Sequence, residues 1–98
     1  MSTDKRIKSF KMGARTYRVK YVAHDRETLG IARTPIGTIE IQTVWDGKPV
    51  PADAQAETLW HEVVHCVLDQ IGRTDLNSDE SLVQSVAAMM YQFSRTAR

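Results

Sequence analysis

The sequence predicts an α+β domain, a small antiparallel sheet of three to four strands followed by two packed helices. Three observations carry that expectation. Residues 17–22 and 38–43 alternate apolar with polar side chains, the period of a half-buried strand. Residues 52–71 contain neither Gly nor Pro and repeat apolar positions at helical spacing. Residues 79–95 do the same, with Leu82, Val83, Val86, Ala87, Met89, Met90 and Phe93 spaced for burial.

Each element has its own signal. A short strand over residues 7–12 is turned back by Gly13-Ala14-Arg15 into the strand at 17–22. His24-Asp25-Arg26-Glu27 reads as a polar connection. A strand over residues 29–33 then meets Thr34-Pro35-Ile36-Gly37, where Pro and Gly suit a tight turn, before the strand at 38–43. The four segments read as a meander. Residues 44–51, with Trp45-Asp46-Gly47-Lys48-Pro49, have the composition of a loop. Asp53 is placed to cap the first helix and Gly72 to end it. Residues 73–78 are a polar link to the second.

Bulk properties bound the function. Ninety-eight residues make one domain, near the lower end of what buries an independent core, so residues 1–98 are read as a single unit. A formal net charge of +1 offers no electrostatic argument for nucleic acid or an anionic membrane surface. No apolar stretch approaches the length of a membrane span. The first six residues have two cations but no apolar run behind them, unlike a secretory signal. Cys66 has no internal disulfide partner, which fits a reducing cytoplasm.

The chemistry concentrates in His61-Glu62-Val63-Val64-His65. Side chains four apart on a helix stand one turn above each other, so both imidazoles can reach one metal ion. Glu62, beside the first histidine, is then placed to take a proton from a metal-bound water. On a helical wheel Ala56, Leu59, Val63 and Val67 form one apolar side and Trp60, Val64, Leu68 and Ile71 an adjoining one. Gln55, Thr58, Glu62, Cys66 and Asp69 form a narrow polar arc, with His61 and His65 at its edge. Such a helix is packed on two sides, leaving the histidines to line a cleft.

Catalytic zinc takes three protein ligands and keeps one position for water. His24 lies upstream in a strand connection, Cys66 projects about 100° away from His65, and Asp69 would need three successive turns of one helix to share the ion. Glu80, at the start of the second helix, shares a side with Val83, Ala87 and Met90 and so faces the first helix. It is the leading candidate for the third ligand, with Asp79 its nearest rival and Asp75 another. The same residue also sits three after Asn77, the spacing of a capping box.

Two helices carrying Leu59-Trp60-His61-Glu62-Val63-Val64-His65 and Asp79-Glu80-Ser81-Leu82-Val83, after a small sheet, resemble the gluzincin metallopeptidases. The likeness is greatest to minimal one-domain zincin-like forms associated with phages and mobile elements, and it covers residues 39–93. It implies His61, His65 and Glu80 as zinc ligands, Glu62 as general base and a polypeptide as substrate. Larger gluzincins add a subdomain with a His or Tyr at the oxyanion. Tyr91 stands too far along its helix for that role, and Tyr17, Tyr21 and His24 cannot be assigned it. The alternative is therefore a zinc-binding regulatory or phage-associated protein with little turnover. For a peptidase, the strand at 38–43 is a candidate edge for an extended substrate, with core packing as its other reading; Trp45 in the following loop reads first as structural packing and second as a rim residue.

Overall fold

A computed structural model describes residues 6–24 and 28–98. Strands β1 (Ser9–Met12) and β2 (Arg15–Val22) form an antiparallel hairpin. Across it the rings of Phe10 and Tyr17 stack with centroids 5.2 Å apart. Strand β3 (Gly30–Arg33) leads through a 3-10 turn at Thr34–Ile36 into β4 (Thr38–Gln42). The strand order is β1-β2-β4-β3.

The α+β architecture follows the sequence, but the sheet is mixed where an antiparallel meander was expected. β3 and β4 pair antiparallel, whereas β4 runs parallel to β2. Alternation decides which face a side chain occupies and is silent on which strand lies next to which. Here Ile39 and Ile41 of β4 stand beside Val19 and Tyr21 of β2, so inserting β4 makes one apolar row of both strands. β4 is therefore interior, and the edges of the sheet are β1 and β3.

Gly37 permits this insertion. Its φ of +65° ends the 3-10 turn, and its carbonyl accepts from the Arg18 N–H at 2.8 Å. A Cβ there would lie 2.5 Å from the Thr16 carbonyl oxygen of β2.

Residues 44–51 are more ordered than their composition suggests. β5 (Val44–Trp45) and β6 (Lys48–Pro49) form a small hairpin. Asp46 and Gly47 both have positive φ, the requirement of a two-residue type I′ turn, and Asp-Gly is a favoured pair for it. The sequence signal was present in Asp46-Gly47, but strands of two residues are too short to show alternation.

Helix α1 (Ala52–Gln70) is packed on two sides, as expected. Against the sheet, Leu59 and Cys66 join Tyr17, Val19, Ile39 and Ile41. Against the last helix, Val64 meets Val83 and Ala87, with Trp60 and Leu68 alongside. Cys66 belongs to the core rather than to a polar face, and burial pushes its thiol up to about 11. The helix start differs as well: Pro51 holds the N-cap position, and Asp53 lies inside the first turn, accepting from the Ala54 N–H. At the other end Gly72, with Arg73 N–H reaching back to the Leu68 carbonyl, makes the expected glycine stop.

The polar link contains the one-turn helix α2 (Thr74–Asn77), and α3 (Glu80–Thr96) follows. Only Val83 and Ala87 of α3 are fully buried. Val86, Met89, Met90 and Phe93, expected inside, are exposed, Phe93 by 64%. α3 packs against α1 on one side only, and a single contact line covers only one stripe of a helix. Residues 25–27 of the connection after β2 lie outside the described residues; His24 donates its N–H to the Gln42 side chain. Among the described residues no helix is long and apolar enough to cross a membrane.

Gly37→Ala is expected to destabilise the fold by about 2 kcal/mol or more, combining left-handed backbone strain with the approach to Thr16. Urea denaturation checks this; a loss below about 0.5 kcal/mol would show that β4 can shift away from β2 at little cost.

Candidate metal centre

The two contact lines of α1 leave a wedge between β3 and the start of α3, and the site lies there. His61, Glu62 and His65 line a cavity of about 790 Å³ with Glu80, Asn77 and Gln84 on one side. Residues Thr28 to Ala32 form the opposite wall. The helical spacing of four puts the two imidazole centroids 5.0 Å apart.

Glu80 reaches both histidines. Its Oε1 lies 3.0 Å from Nε2 of His61 and 3.3 Å from Nε2 of His65. The ligand atoms of His61, His65 and Glu80 all fall within 4.8 Å of one another, a group that could hold a metal ion. The rival carboxylates are committed elsewhere. Asp79 is the N-cap of α3 and accepts from the Leu82 N–H at 3.1 Å. Asp75 is gripped by the Arg73 guanidinium, which holds its carboxyl down at about 2. Asn77 makes no capping box with Glu80, because it closes α2 and turns its side chain to His65.

The outer nitrogens of the imidazoles fix their protonation. Nδ1 of His61 stands 2.8 Å from Oε1 of Gln84, and Nδ1 of His65 stands 2.6 Å from Oδ1 of Asn77. Gln84 Nε2 donates to Glu57 Oε1 at 3.1 Å, which orients the amide with its oxygen towards His61. An amide oxygen only accepts, so each Nδ1 carries a proton and each Nε2 is the nitrogen turned towards Glu80. Two imidazole Nε2 atoms and a carboxylate oxygen therefore converge, an arrangement that needs positive charge among them, from a proton or a metal ion.

A tetrahedral ion would suit the two edges that involve Glu80. Bonds of about 2.0–2.1 Å at tetrahedral angles place donor atoms about 3.3–3.4 Å apart. The observed separations of 3.0 and 3.3 Å between the imidazole nitrogens and Glu80 are close to that span. Protonation of a histidine at Nε2 could also bridge to Glu80, so protons compete with metal for the same position.

Glu62 points into the same wedge but from under the sheet edge. It is 7% exposed, and burial raises its pKa, with Glu80 adding to the shift; His61, His65 and the Ala32 backbone N–H oppose it. Strand β3 can come this close because residue 30 has no side chain. A Cβ on Gly30 would meet Thr58 at 2.7 Å and the Glu62 carboxylate at 3.1 Å.

His61, Glu62, His65 and Glu80 are thus brought together, as the sequence implied. Tyr17, Tyr21, His24 and Tyr91 do not line the cavity. Tyr17 is fully buried against the sheet, Tyr21 donates its hydroxyl to the Ile7 carbonyl, and Tyr91 packs under Arg95. Trp45 is 40% exposed on the β5–β6 hairpin and is not a lining residue. Gln84, Asn77, Glu57 and Gly30 are the contributors that sequence reading missed. Gln84 lies one turn after Glu80 and Glu57 one turn before His61, so helical spacing could have found both once Glu80 was placed. Comparisons with protein-family models, curated proteins and solved structures found no match.

Gln84→Leu removes the acceptor for His61 Nδ1–H while leaving the three donors in place. It is expected to weaken metal affinity by about 10- to 100-fold with the fold intact, whereas Gln84→Glu retains the acceptor. Competition titration against a chromophoric chelator, with circular dichroism as control, reads the difference; equal affinity for Gln84→Leu and wild type would remove Gln84 from the centre.

Proposed function

We propose that the protein is a zinc-dependent peptidase, with His61, His65 and Glu80 as ligands and Glu62 as general base. The observation that carries this reading is the convergence of two Nε2 atoms and the Glu80 carboxylate beside a second, buried carboxylate. Two imidazoles and one carboxylate are a donor set typical of catalytic zinc, and three protein donors leave a position for water. A bound zinc ion would supply Lewis acidity, lowering the pKa of water and polarising a carbonyl.

The remaining work falls to the chain itself. Glu62 takes a proton from the attacking water and delivers it to the leaving amine. Burial raises its pKa above the ordinary carboxylate value, the direction that makes it a stronger base. The Ala32 N–H holds the carboxylate in place. Strand β3, an edge strand along the cavity wall, offers backbone groups for an extended polypeptide. β4 cannot serve in this role, since β2 and β3 occupy both of its sides. The reading includes a reducing, cytoplasmic setting, which the single, buried Cys66 suits.

One observation favours a second reading, a zinc-binding regulatory protein with little turnover. Among the described residues that line the cavity there is no Tyr, Lys or Arg to receive an oxyanion, and the Gln84 amide N–H already donates to Glu57.

Glu62→Gln is expected to retain about one zinc per chain and to lose all cleavage of an unstructured polypeptide. Glu80→Ala is expected to lose most of the zinc. Elemental analysis and gel-based digestion measure both. Cleavage that persists in Glu62→Gln sinks the mechanism, and zinc without cleavage in the wild type selects the regulatory reading.

A further inference from the structure

The cavity has a charge that the zinc chemistry does not use. Among the described residues, those lining it include three carboxylates, Glu57, Glu62 and Glu80, and no lysine or arginine. Glu62 and Glu80 are committed, one beside the Ala32 amide and the other to His61 and His65. A divalent ion would offset those two charges, and among the described lining residues none would compensate Glu57.

Glu57 is held rather than free. Its Oε1 accepts from Gln84 Nε2 at 3.1 Å, which fixes the side chain across the gap between α1 and α3. The cavity lining also includes Ala54, Thr58, Thr28 and Leu29, whose side chains carry no charge. The nearest cation of β3, Arg33, does not line the cavity and pairs with Glu40 at 3.1 Å.

Resting on the peptidase reading, we propose that Glu57 selects for a cationic side chain, lysine or arginine, close to the cleaved bond. Glu57 lies one helical turn before His61, about 6 Å along the axis. An extended peptide advances about 3.4 Å per residue, so the selected side chain belongs to a residue within two of the cleaved bond. A partly enclosed carboxylate with fixed geometry discriminates charge better than one in open solvent, because water screens it less. Glu57→Gln removes the charge and keeps an oxygen able to accept from Gln84, so it separates recognition from the support of His61.

Two measurements test this. The first digests random octapeptides with the zinc-loaded wild type and with Glu57→Gln, and reads the cut sites by mass spectrometry. Lysine and arginine should be enriched within two residues of the cut for the wild type, and the enrichment should vanish in Glu57→Gln. Cutting without that enrichment, or enrichment that survives in Glu57→Gln, overturns the proposal. The second measures binding without turnover, using zinc-loaded Glu62→Gln and matched peptide pools carrying arginine or its neutral isostere citrulline. Fluorescence anisotropy should show the arginine pool bound about five- to tenfold more tightly, and equally once Glu57→Gln is added. Equal binding of the pools to the single variant overturns the proposal whatever the digestion shows. A charge preference that depends on Glu57, in a wild type that cuts nothing, supports the cation site and sinks the peptidase reading instead.

Discussion

Helix α1 has to satisfy two packing partners, and the rest of the structure follows from how little of its circumference that leaves. Leu59 and Cys66 are drawn to the sheet, and Val64 to α3. Between the two lines lie His61, Glu62 and His65, which can neither join an apolar core without a partner nor leave the wedge without unpacking the helix. The polar groups around them answer that constraint from both sides: Gln84, Asn77 and Glu80 from the second helical segment, and the Ala32 amide from the sheet edge. Burial of α1 therefore pre-positions the donors, and rigid helices on a packed core hold them more firmly than loops would.

The parts of the fold legible in the sequence are those whose signal is local. The gap in Gly and Pro over residues 52–71, the glycine that ends it and the pair of histidines four apart all state their geometry within a few turns. Glu80 was legible for a related reason: its helix face is set by Val83 and Ala87, both fully buried against α1. Strand order was not legible, because Ile39 and Ile41 fit an apolar row equally well beside β2 or at an edge. The exposed flank of α3 shows the same limit from the other direction. Met89 and Phe93 have the spacing of buried residues, yet spacing does not say how many partners a helix will have. Asn77 has the spacing of a capping box with Glu80, a local role, but Asp79 holds the cap and Asn77 takes the longer-range contact to His65.

Gly30 links the sheet to the chemistry. An edge strand is ordinarily kept from a helix by side chains on both, at about 10 Å between layers. Removing one side chain at the crossing lets β3 settle against Thr58 and Glu62, which buries the carboxylate and gives it a backbone donor at once. Those two consequences act in opposite directions on its proton affinity, and burial is the larger. The same close approach turns the free edge of β3 towards the cavity, so the strand that burial requires is also the one available to an extended ligand.

The convergence on Glu80 also bears on stability. With both Nδ1 protons given to amide oxygens, each Nε2 stands 3.0–3.3 Å from the Glu80 oxygen and repels it wherever no proton or metal ion lies between them. Glu62, buried nearby, adds to that repulsion with a charge of the same sign as Glu80. A proton on one imidazole relieves part of the strain, and a divalent ion relieves it at all three donors. Since the unfolded chain holds no such arrangement, whatever free energy the ion gains there is added to folding. In a chain near the lower size limit for an independent core, where α3 buries only Val83 and Ala87 fully, that addition would be a substantial part of the whole. An ion held there would thereby also tie α3, through Glu80, to α1.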